Sequence, residues 1–110
     1  MSVKSIRNID EFNEYLLNDK FLVVDFRAPW CAPCKQLDPI LEEISKRYQE
    51  VLFLKVNVKE LPLIGAKYFV KSLPTVIFFV NGKADSSFTG TVNKRMIEKK
   101  ILSFFPFSLL

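Results

Sequence analysis

Apolar positions along the chain follow two rhythms. Phe21-Leu22-Val23-Val24-Asp25-Phe26 and Val76-Ile77-Phe78-Phe79-Val80 are short apolar runs of strand length, the pattern of strands buried on both faces. Between them Leu37, Ile40, Leu41, Ile44 and Tyr48 recur at helical spacing and predict a long helix from about Pro33 to Tyr48. Pro33 suits its first turn, where the missing N–H is not needed, whereas Pro39 removes a mid-helix hydrogen bond and predicts a kink. Val3 to Ile6 starts an edge strand. Asn8 with Glu11 reads as a capping box opening a helix through about Leu17, with Phe12, Tyr15 and Leu16 on its apolar side.

Val51 to Val58 is a further strand, carrying Lys55 among apolar neighbours, and Leu61 to Phe69 a short helix broken up by Pro62 and Gly65. Asn81-Gly82 marks a hairpin between the strand ending at Val80 and a partner at Ser86 to Thr89. Helical spacing returns from about Val92 to Phe105 and stops at Pro106. The order βαβαβαββα predicts an α/β protein, a sheet with helices on both faces and right-handed parallel crossovers. With no internal repeat or linker, residues 1–110 are expected to form a single domain.

Composition narrows the picture. Nearly half the residues are hydrophobic and eleven are phenylalanine, which excludes disorder. The formal charge of +4 is spread along the chain, and its densest group, Lys94, Arg95, Lys99 and Lys100, is interleaved with Met96, Ile97 and Ile101 as the wet side of a helix. No nucleic-acid motif accompanies it, so no nucleic-acid partner is expected. Asp10, Glu11, Asn13 and Glu14 interrupt any secretory signal, and no segment is long and apolar enough for a membrane span. A cytoplasmic protein with no membrane partner is the resulting expectation. In that reducing compartment cysteines read as catalytic more readily than as structural.

The only two cysteines stand in Trp30-Cys31-Ala32-Pro33-Cys34-Lys35, where an apolar run gives way to a helix. Two thiols on a first helical turn can close a small disulfide, and the helix N-terminus stabilises a negative sulfur. A purely structural staple is a poor reading, because so short a loop gives about 1.9 kcal/mol against about 3 for a fifteen-residue loop. Structural zinc needs four cysteine or histidine ligands, and the chain has two cysteines and no histidine. Redox chemistry remains. Asp25 is the other anomaly: inside an apolar strand it must be largely protonated or paired with something.

Asp25-Phe26, Ala28, Trp30-Cys31, Pro33-Cys34-Lys35, Pro39, Lys55, Leu73-Pro74-Thr75, Gly82 and Gly90 together resemble the thioredoxin family, over about residues 3 to 105. The resemblance implies the thioredoxin fold, a central mixed sheet of about five strands flanked by about four helices. It also implies a protein-disulfide reductase, an enzyme whose Cys31 is the exposed nucleophile and whose Cys34 is the buried resolving thiol. Asp25 would take the proton from Cys34, with Lys55 tuning it, and Ala32-Pro33 would set the redox potential. Trp30, Leu73 and a cis Pro74 would meet an extended substrate. Disulfide-containing client proteins and a thioredoxin reductase would be the partners of a monomer. The chain would need no cofactor, since NADPH and FAD belong to the reductase.

Three features depart from the family. Ala32 stands where glycine is typical, Arg27 replaces a tryptophan and brings a cation that could favour a nearby thiolate, and the tail from Phe104 to Leu110 is apolar enough to fold back over the core. Single residues also have plain packing readings: Trp30 as a buried aromatic, Lys55 as a snorkelling side chain, Pro74 as a strand-start proline, Asp25 as a paired core carboxylate. These departures support the alternative function, a binding or scaffold module of the same fold with incidental redox activity. An oxidant or isomerase is less favoured, because such relatives more often carry histidine between the cysteines.

Overall fold

A computed structural model describes residues 3–104. The elements are β1 (Val3–Ser5), α1 (Ile9–Asn18), β2 (Phe21–Arg27), α2 (Ala32–Arg47), β3 (Leu52–Asn57), α3 (Pro62–Lys67), β4 (Thr75–Val80), β5 (Lys83–Thr89) and α4 (Lys94–Phe104). The strands form one five-stranded sheet in the order β1-β3-β2-β4-β5. β1 and β2 run parallel to β3, while β4 is antiparallel to β2 and β5 antiparallel to β4. The sheet is therefore mixed, with the apolar runs of β2 and β4 at its centre, as their composition demands.

Alternation along β2 divides the core in two. Val23 joins Phe53, Val76 and Phe78 under α2 and α4, which contribute Leu37, Leu41, Ile44, Ile97 and Ile101. Leu22, Val24 and Phe26 face the other way, with Leu54, Val56, Ile77 and Phe79, under Phe12 of α1 and Ile64 of α3. By the same period of two, Asp25 and Arg27 point with Val23 toward α2. Lys55 points with Phe53 to that same face, and is the register partner of Asp25 on the adjacent strand.

Most boundaries follow local chemistry. Asn8 caps α1 by accepting the N–H of Glu11 at 2.8 Å. α2 continues through Pro39 as far as Arg47. α4 begins at Lys94 rather than near Val92, because Asn93 accepts the N–H of Met96 at 2.9 Å and so defines the first turn. β5 begins at Lys83, three residues before Ser86, with a register irregularity at Phe78/Phe79. Its first residues are polar or small and exposed, as suits a sheet edge. Phe104 stacks on Phe21 at 5.6 Å between ring centroids. The expected return of the tail concerns residues 105–110, which lie outside the described residues.

Candidate active site

The chain leaves β2 at Arg27, passes the buried Ala28, and turns so that Cys31 N–H donates to the Ala28 carbonyl at 3.2 Å. Cys31 is the N-cap of α2, and its Sγ accepts the N–H of Cys34 at 3.2 Å. A helix N-terminus thus aims a backbone donor at this sulfur, which stabilises a thiolate there once the pair is reduced. Cys31 and Cys34 are joined as a disulfide, with their Cα atoms 5.3 Å apart. Cys31 keeps 7% exposure and Cys34 none, so an external thiol or disulfide meets the Cys31 sulfur first. Ala32 and Pro33 are exposed between them on the first turn of α2.

Around the disulfide the residues selected from the sequence divide into two groups. Trp30 is 68% exposed, with Lys59 Nζ 5.9 Å from its ring centroid, so it is no core packing residue. Leu73 is half-buried and joined to Pro74 by a cis peptide. Thr75, the first residue of β4, pairs with Phe26 near the end of β2, so Leu73 and Pro74 emerge at the same end of the sheet as Cys31. The Pro74 carbonyl accepts the N–H of Gly90 at 3.0 Å, and Thr75 Oγ1 donates to the Ser72 carbonyl at 2.6 Å, which anchors this loop to the end of β5 and to itself.

The second group lies between β2, β3 and α2. Asp25 is fully buried. Its Oδ2 accepts from Arg27 Nη1 at 3.4 Å, a long bond, and its Oδ1 has no hydrogen-bond partner among the described residues. Arg27 is held mainly by Asp38 of α2: Nη1 bonds Oδ1, and Nη2 bonds Oδ2 at 3.0 Å, a two-pronged contact suited to the planar guanidinium. Lys55 Nζ completes the group 3.5 Å from Asp38 Oδ1. Lys55 therefore pairs directly with Asp38, and bears on Asp25 only as a neighbouring charge.

Burial pushes the Asp25 carboxyl up to about 6, the largest influence; Arg27 pulls it down, Asp38 pushes it up and Lys55 pulls it down in turn. A carboxyl poised there is mostly ionised at neutral pH yet basic enough to accept a proton from a thiol. Arg27 serves two carboxylates, where its place in the sequence suggests an effect on a thiolate. Asp38 is the member of this group that sequence reasoning misses. Its signal is present nonetheless: it stands four residues after Cys34, on the helix face that also carries the buried Leu41 and Ser45.

Residues 3–103 match the thioredoxin family profile. The chain belongs to the thioredoxin family. It is 39% identical over 97 residues to a thioredoxin of Mycoplasmoides gallisepticum, covering 88% of this chain and 97% of that protein. It is 36% identical to the chloroplastic M-type thioredoxin of Spinacia oleracea, covering 91% of this chain but spanning only 58% of that protein. Among solved structures, Plasmodium falciparum thioredoxin superposes with a TM-score of 0.86 at 32% identity, over 92% of this chain and 98% of that one. The Cys31–Cys34 pair is thus a thioredoxin redox centre, and thioredoxins carry electrons on their own cysteines without a bound cofactor. Among the described residues no cluster of side chains suits a metal ion, and no helix is long and apolar enough to cross a membrane.

Proposed function

We propose that this thioredoxin reduces disulfides of client proteins in the cytoplasm, acts as a monomer, and is returned to the dithiol by a thioredoxin reductase drawing on NADPH and FAD. The observation that carries the reading is the asymmetry of the pair: an accessible Cys31 sulfur at a helix N-terminus, joined to a fully buried Cys34. Cys31 thiolate attacks a client disulfide, forming a mixed disulfide and expelling one client thiolate. Cys34 then loses its proton to Asp25 and attacks Cys31 Sγ. The Cys31–Cys34 bond forms, the bond from Cys31 to the client breaks, and the second client sulfur leaves as a thiolate that is protonated from solvent. The client gains two electrons and the pair loses two.

Acidity at Cys31 accounts for little of the rate. Lowering an attacking thiol from about 8.5 to ambient pH 7 gains about sixteenfold in thiolate, and a Brønsted slope of about 0.45 returns nearly fivefold of that. More of the acceleration comes from the fixed position of Cys34 and the removal of its proton. Trp30, Leu73 and Pro74, at the same sheet end, offer an apolar side chain and an extended backbone to a client segment.

Insulin reduction, driven first by dithiothreitol and then by thioredoxin reductase with NADPH, tests the reading. Turnover in both is expected, with none in Cys31→Ser; Cys34→Ser should attack but accumulate mixed disulfides visible on non-reducing gels. A Cys31→Ser protein that retained biological activity, or a Cys34→Ser protein that trapped nothing, would overturn it.

A further inference from the structure

The charged group around Asp25 contains one cation too many for the simple picture of a buried acid with a lysine beside it. Arg27 is the cation bonded to Asp25, and it reaches that carboxylate because its guanidinium is fixed from the far side by Asp38. A flexible arginine at the end of a strand would turn to water. This one is nearly enclosed, with 16% of its side chain exposed, and both prongs are engaged. The arrangement fixes which Asp25 oxygen is occupied: Oδ2 faces Arg27, and Oδ1 has no hydrogen-bond partner among the described residues.

We propose that Arg27, clamped by Asp38, is a positioning residue for the resolving step, holding Asp25 as a carboxylate with Oδ1 presented to accept the Cys34 proton. The proposal rests on the reading of Asp25 as that acceptor. In the step, the Cys34 S–H bond breaks, its proton goes to Asp25 Oδ1, and the electron pair left on sulfur makes the bond to Cys31 while the client thiolate departs. The charged groups that act on Asp25 are Arg27 on its own strand, Asp38 on α2 and Lys55 on β3; on β4 its register partner is the apolar Val76, and Cys34 lies on the buried face of α2 one turn before Asp38. Arg27 and Lys55 also line a cleft of about 240 Å³ with Glu60, where the cations of the group meet solvent.

Arg27 and Asp38 act on Asp25 with opposite sign, which distinguishes the clamp from a merely structural brace. Removing the cation makes the carboxylate harder to form. Exchanging Asp38 for asparagine removes a repulsion but keeps an oxygen against Arg27, so the carboxylate forms more easily; exchanging it for alanine also frees the guanidinium and gives up Arg27's support. Lys55 remains in both cases.

The Asp25 carboxyl can be titrated by carbon-13 NMR in the oxidised protein, with no substrate present, and the resolving rate followed in parallel by single-turnover stopped flow between pH 5 and pH 9, roughly the range in which these groups change charge. Arg27→Met should raise the Asp25 midpoint by about one pH unit or more. The ionised fraction at pH 7 then falls from about nine-tenths to about half or less, and resolution slows in proportion, approaching the wild-type rate as pH rises. Arg27→Lys should restore part of the shift, Asp38→Asn should move the midpoint below that of the wild type, and Asp38→Ala, which frees the guanidinium, should leave it clearly above that of Asp38→Asn. Should Arg27→Met not fold, the difference between Asp38→Ala and Asp38→Asn decides the matter. An unmoved midpoint in Arg27→Met, or equal midpoints in Asp38→Ala and Asp38→Asn, overturns the clamp. Failure of the wild type to reduce insulin overturns the function and the resolving role with it, a result distinct from an altered titration.

Discussion

Replacing Asp25 by asparagine should make the protein more stable at neutral pH and a poorer enzyme. Burial raises the folded carboxyl from 3.8 to about 6, so between those values the folded chain binds a proton that the unfolded chain releases. Stability therefore falls as pH rises through that window, since the native state is the one holding more protons. At about 1.4 kcal/mol per pH unit, the loss above pH 6 amounts to about 3 kcal/mol. An asparagine carries no such penalty, keeps nearly the same volume, and retains an oxygen for Arg27. The difference between Asp25→Asn and wild type should be small near pH 4 and grow to about 3 kcal/mol by pH 7, moving the urea midpoint up by roughly 1–2 M. Urea titrations of the oxidised proteins at several pH values measure it, with the disulfide intact in both states. A gap that stays constant from pH 4 to 7, or equal midpoints at pH 7, would refute the view that Asp25 is held ionised against its burial. Kinetically, the same substitution should slow resolution by Cys34 more than initial attack by Cys31.

Phe69 has φ 57° and is 81% exposed, so a bulky side chain sits in left-handed backbone with little burial to offset it. Phe69→Gly should raise stability by about 0.5–1 kcal/mol, the relief of strain less the added entropy of glycine in the unfolded chain; an unchanged or lowered urea midpoint would count against that strain. Trp30→Ala should alter stability by no more than about 0.5 kcal/mol, as expected of an exposed side chain, while KM for protein clients rises several-fold with kcat held. A clear loss of stability with unchanged KM would make Trp30 a packing residue instead.

Features that are local in the chain are legible in the sequence. Buried strands show as apolar runs, α2 as a 3.6-residue repeat, and the hairpin as Asn81-Gly82, which adopts φ 52° and 79°. The redox pair needs only its spacing and its place at a strand-to-helix junction. Element ends are harder to read where two signals compete. Val92 fits the apolar rhythm of α4, yet Asn93 accepts the Met96 N–H and starts the helix after it. Lys83-Ala84-Asp85 has no strand-like alternation, and extends because β4 offers it a ladder at the sheet edge.

The charged group around Asp25 is only half legible, for a different reason. Asp25 stands out because a carboxylate inside an apolar run is costly, which predicts that some partner exists but not which one. Finding the partner requires three placements at once: strand alternation turns Asp25 and Arg27 to one side, parallel register sets Lys55 beside them, and helical periodicity turns Asp38 down from α2. Asp38, taken alone, reads as an ordinary surface charge, and Arg27 as a cation acting on a thiolate rather than on Asp25. Lys55 shows how the inference misleads when only two elements are used, since its register with Asp25 suggests a pair, whereas its ammonium lies against Asp38. Asp38 thus competes for both cations, and its effect on Asp25 is repulsive. Asp25, the proposed proton acceptor, is held between cations that favour its charge and a burial that opposes it, and that balance places its carboxyl at about 6, within reach of what a base for a thiol needs.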